Sequence, residues 1–97
     1  MPSIYVIEDE RHSEPVGEYS TLVEAVAELV RLKRTPWDEH PNRAPCQNWR
    51  ECGRTYEITE FDTSDESWQE IRRIPALEIS RAVVRWLDQL PGMDNDA

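Results

Sequence analysis

The apolar positions fall into a few separated groups, and each group has its own period. Residues Ser3 to Ile7 are β-branched and aromatic with no polar alternation, the pattern of a strand buried on both faces or of a short inner strand. Glu8, Asp9, Glu10, Arg11 and His12 end it, and Ser13 to Glu18, with Pro15 and Gly17, reads as a polar connection.

Helical spacing follows. Leu22, Ala25, Val26, Leu29 and Leu32 line one face, and Thr21 with Glu24 forms a capping box in front of them. Glu24 and Glu28 lie early in this stretch and Arg31, Lys33 and Arg34 late, the order that complements a helix dipole. Thr35-Pro36 closes the helix, because the residue before a proline avoids the α region.

Residues 35–54, TPWDEHPNRAPCQNWRECGR, carry no period and predict one long connection, with a short helical turn at Gln47 to Glu51. A connection of that length inside a small domain is functional or disordered, and its three prolines, two tryptophans and two cysteines argue against disorder. Arg54 to Asp62 alternates as a half-solvated strand does. Residues 68–74 fit the return arm of a hairpin, with a second capped helix, from Thr63 and Glu66, as the alternative. Pro75 then opens a last helix, with Ile79, Val83, Trp86 and Leu90 on one stripe and Glu78, Arg81, Arg85 and Asp88 on the other, until Pro91-Gly92 stops it.

The fold expected from these elements is α+β in the order β-α-long loop-β-(β)-α. A small two- or three-stranded sheet carries two helices packed on one face. Residues 1–90 form one domain and 91–97 a frayed tail. The chain has 97 residues, a length that suits a single core.

Charge changes the picture more than length does. The net charge is −9, which disfavours a general nucleic-acid binder and an anionic membrane surface. It is unevenly placed: residues 1–30 sum to −6, 31–54 to +3 and 55–70 to −6. The long connection is therefore a basic island between acidic segments. MPSIYVIEDE has no basic n-region and too short an apolar run for a signal peptide, which predicts a cytoplasmic protein with reduced cysteines. Ten arginines against one lysine read as bacterial GC-rich codon usage.

Candidate chemistry gathers in the same connection. Trp37, Arg43, Trp49, Arg50 and Arg54 combine the side chains enriched in interface hot spots, and they make a partner-binding surface the leading expectation. The alternative for the indoles and arginines is internal: roofing of the sheet, with ion pairs to Glu57, Glu60 and Glu66. His40, Cys46 and Cys52 carry zinc's preferred donor types, although C-x5-C does not match standard zinc spacing. The same residues are the candidates for a thiol nucleophile. No glycine-rich phosphate loop and no nucleophile elbow can be written.

The leading function is thus a non-catalytic protein-interaction module acting through residues 35–54, without a cofactor. A metal- or thiol-dependent site at His40, Cys46 and Cys52 comes second, and a nucleic-acid role, as weak binder or acidic mimic, third. Val23, Ala27 and Val30 lie off the main stripe of the first helix, and Val84 and Leu87 off that of the last. Those flanks predict a homodimer through one or both helices.

Overall fold

The computed structural model describes residues 3–43 and 53–93. Five strands and one helix follow in the order β1 (Ser3–Asp9), β2 (Glu14–Tyr19), α1 (Leu22–Lys33), β3 (Arg54–Asp62), β4 (Gln69–Ile79) and β5 (Val84–Trp86). All strands lie in one sheet of order β2-β1-β3-β4-β5, and every neighbouring pair is antiparallel.

This corrects the expected architecture in two places. The sheet has five strands, not two or three, and the described chain has one helix, not two, so α+β fits only in part. Pro75, read as a helix start, sits inside β4, and the residues assigned to the last helix form the end of β4 and the short β5. Ser13 to Glu18, read as a connection, is mostly β2. Proline is tolerated there because β2 is an edge strand and Pro15 has no N–H to leave unpaired.

The first helix is as read. Thr21 is extended and its hydroxyl accepts the Glu24 N–H at 3.1 Å, closing the N-terminus. Arg31 pairs with Glu28 one turn away. Ala25, Val26, Leu29 and Leu32 are buried against Ile7, Tyr56, Ile58, Leu77 and Ile79. β1 is the inner strand of the two alternatives, held between β2 and β3. The 68–74 segment is indeed hairpin, returning as β4 beside β3.

Pairing separates the two faces of the sheet. Tyr5, Ile7 and Asp9 stand opposite Glu60, Ile58 and Tyr56, and this face meets α1. Ile4, Val6 and Glu8 stand opposite Phe61, Thr59 and Glu57 on the other face. No helix or second sheet among the described residues covers that face. Three bulges interrupt the ladders, leaving Val16, Ile71 and Ala76 as the extra residues. At the start of β3, a side chain on Gly53 would lie 2.6 Å from the Ile79 carbonyl oxygen and from Ser80 Cβ, so this glycine lets the backbones meet.

Candidate functional site

Two regions of the sheet concentrate polar chemistry or exposed apolar surface, one at each end of β3. At its N-terminal end lies a buried ionic network. Arg54, only 8% exposed, places Nη1 at 2.9 Å from both Asp9 Oδ2 and Glu14 Oε1. Its Nε donates to the Asn42 carbonyl at 3.2 Å and its Nη2 to the Arg43 carbonyl at 2.8 Å. Burial opposes the Arg54 charge, but the hydrogen bond to Glu14, the Tyr56 phenol's charge and the hydrogen bond to and charge of Asp9 together outweigh it and hold the pKa above the usual arginine value.

Asp9 is fully buried and fully used. Besides Arg54 it accepts the backbone N–H groups of Arg11 at 3.0 Å and Thr55 at 3.2 Å. His12 Nδ1 lies 2.6 Å from Asp9 Oδ2, and since the carboxylate only accepts, that nitrogen carries the hydrogen. Asn42, also buried, donates to the carbonyls of Leu32 and Thr35 at 2.8 Å each, while its Oδ1 accepts from the Tyr56 hydroxyl at 3.0 Å. Burial is the main cause that pushes the Tyr56 phenol up to about 12. No buried side-chain polar atom among the described residues lacks a partner.

Several elements build this cluster. Asp9 ends β1, Glu14 opens β2, and Arg54 and Tyr56 alternate on the helix-side face of β3. Asn42 arrives from the connection after α1 and ties the C-terminus of the helix to the sheet. The network thus closes the base of the long connection, because the carbonyls of residues 42 and 43 are bound by the first side chain of β3.

The residues singled out from sequence are distributed as follows. Arg54 is internal, and Trp37 packs partly buried on the core. Arg43 is exposed and contributes its carbonyl to Arg54. The ion-pair partners differ from the expected ones: Glu57 and Glu60 pair with Arg73 and Arg72, and Arg54 takes Asp9 and Glu14. His40 is exposed. Trp49, Arg50, Cys46, Cys52 and the turn at Gln47 to Glu51 lie outside the described residues. Among the described residues, no group of three or more His, Cys, Asp or Glu is placed to hold a metal ion. Nor does any helix among them have the length and apolarity to cross a membrane.

The second region is the far end of the β3–β4 hairpin. β5 pairs only with Leu77, Glu78 and Ile79, with one more bond from the Leu87 N–H to the Ala76 carbonyl at 2.8 Å. From Gln69 to Pro75 the outer edge of β4 therefore has no strand beside it among the described residues. Trp68 and Ile71 there are 45% and 48% exposed, and the Trp68 ring tilts against Phe61 with centroids 5.8 Å apart. Glu70 and Arg73 form an ion pair at 2.8 Å, and Arg73 lies 3.5 Å from Glu57. Burial, then repulsion from Glu10, holds Glu57 above its ordinary value. Sequence reading missed this region because it took the hairpin's return arm to end where a helix began.

Comparison with family models, with curated proteins and with solved structures finds no match for this chain.

Proposed function

We propose that this chain is a non-catalytic protein-interaction module whose docking surface is the outer edge of β4, residues 69–75, with Trp68 and Ile71 beside it. The observation that carries the reading is the length mismatch between β4 and β5. An eleven-residue strand is paired on its outer side only over its last third. An unpaired strand edge is a template for an added strand, whose main-chain bonds supply affinity while flanking side chains supply selectivity. Two large apolar side chains lie next to that edge, where solvent exposure forgoes their burial.

The same class of function was expected for residues 35–54. Of their described members, Trp37 and Arg54 serve the core and the network, which moves the weight of the reading to β4. A photo-crosslinking residue at position 71, in the full chain produced in its native cells, tests it. A discrete protein adduct at position 71, with none from the exposed helix position 27, supports the reading. Equal adducts at both positions, or none at either, overturn it.

A further inference from the structure

Resting on that reading, we infer that the partner of the β4 edge is a second copy of this chain, added antiparallel about a two-fold axis between Ile71 and Arg72.

The open edge runs from Gln69, the first residue of β4, to Pro75, because Ala76 is already bonded to Leu87. Opposed residues of an antiparallel pair lie on the same face, and with the bulge at Ile71 an axis between Ile71 and Arg72 matches the faces along the whole stretch. An antiparallel copy placed on that axis pairs the open edge, setting Gln69 opposite Ile74 and Glu70 opposite Arg73, with Pro75 reaching Trp68.

Charge fits the same register. Arg73 stands opposite Thr59 and Glu70 opposite Phe61, so the bulge at Ile71 puts Glu70 and Arg73 on the same, uncovered face although they are three residues apart. Their 2.8 Å ion pair confirms that they are neighbours there. Two-fold pairing brings Glu70 of each copy beside Arg73 of the other, and the two existing pairs become a closed four-membered ring of alternating sign. Directly opposed opposite charges favour a cross-strand pair, and like charges disfavour it. Residues 68–75 hold two arginines and one glutamate, so the contact sits on a locally basic stretch of a chain of net charge −9. Repulsion between the remaining acidic surfaces is screened beyond about 10 Å at 0.1 M salt.

Pro75, the bulge and the charged side chains are also devices that discourage edge-to-edge stacking. Here they select one register. Pro75 ends the pairing where β5 begins, and a two-fold contact buries the β4 edges of both copies at once, so this contact closes at two.

Sedimentation equilibrium of the full chain at micromolar concentration is the test. The wild type is expected at twice 11.4 kDa. Glu70→Arg and Arg73→Glu side chains are about half exposed in the parent, so both variants should fold normally by circular dichroism. Each variant alone opposes like charges across the axis and should dimerise at least about tenfold more weakly, a loss of the size cross-interface repulsion produces. An equimolar mixture of the two restores both opposite-sign contacts and should sediment as a heterodimer. A monomeric wild type, or a dimer indifferent to both variants, overturns the inference. If position 71 still crosslinks, but to a protein of different mass, the interaction reading survives and the second copy does not. If it crosslinks to nothing, both fail.

Discussion

The two ends of β3 use charge in opposite ways. Where β3 begins, Arg54 is enclosed by two carboxylates and two backbone carbonyls, and the carboxylate of Asp9 has no exposed surface. Where β3 ends, Glu60, Arg72, Glu70 and Arg73 pair at the surface, the two arginines about half exposed. A buried pair has already lost its water, so removing one member leaves the other uncompensated. An exposed pair exchanges each lost contact for water and holds little folding energy. Stability is therefore concentrated at one end of the sheet, and the other end is free to spend its charges on association.

The largest effect should follow from Arg54→Ala. It strands the buried Asp9 carboxylate and releases the carbonyls of Asn42 and Arg43, and breaking a buried pair in this way costs about 3–5 kcal/mol. Urea unfolding measures it. Arg54→Lys should recover only part of the loss, because an ammonium cannot reproduce the planar fork that spans Asp9, Glu14 and the two carbonyls. A variant within 1 kcal/mol (roughly the value of a surface pair) would erase the contrast between the two ends.

Next in size is the alkaline limit set by Tyr56. Its phenol is pushed up to about 12 in the folded chain, against about 10 when unfolded, chiefly by burial. Between those values the unfolded chain has released the proton and the folded chain has not. The unfolded state thus binds fewer protons, and stability falls as pH rises. The contribution is fully present below about pH 10 and lost progressively towards pH 12, by on the order of 2–3 kcal/mol. Tyr56→Phe should flatten that slope while costing about 1–3 kcal/mol at neutral pH, since the buried Asn42 Oδ1 loses its donor. Denaturant midpoints of both proteins at pH 9 to 12 make the comparison.

Local signals explain what could be read from sequence. α1 was legible because its cap, its periodic face and its terminator agree, and Thr21 does bind the Glu24 N–H. Thr21→Ala should cost about 1 kcal/mol, read from the same unfolding curves. The C-terminal half was not legible. Ile79, Val83, Trp86 and Leu90 recur at helical spacing, but Ile79 belongs to β4 and Trp86 to β5, and Val83 lies in the turn between them. Pairing with β3 decided the backbone there, and a bulge at Ala76 broke the two-residue alternation that would have marked β4 as a strand. The last-helix part of the expected homodimer interface falls with that helix, Val84 being exposed on β5, whereas on α1 Val23 and Ala27 are exposed and Val30 packs partly buried on the core. The buried network left one faint trace, since Arg54 alternates in step with Tyr56 and Ile58 and so points with them to the helix side. Its partners Asp9, Glu14 and Asn42 are brought in by tertiary structure, and no spacing announces them.

The smallest effect completes the contrast and tests it most sharply. Glu70→Arg removes the 2.8 Å pair with Arg73 and sets two like charges three residues apart. Arg73 keeps Glu57 at 3.5 Å, and both side chains at position 70 and 73 face water. Folding of the separated chain should change by no more than about 1 kcal/mol, the range of exposed ion pairs. The measurement is a urea curve taken at concentrations below dimer formation, set beside the sedimentation result for the same variant. A substitution that weakens association at least tenfold and leaves folding nearly untouched places those charges at an interface. If folding stability falls as far as it does for Arg54→Ala, the hairpin end is part of the structural core and the division between the two ends of β3 does not hold.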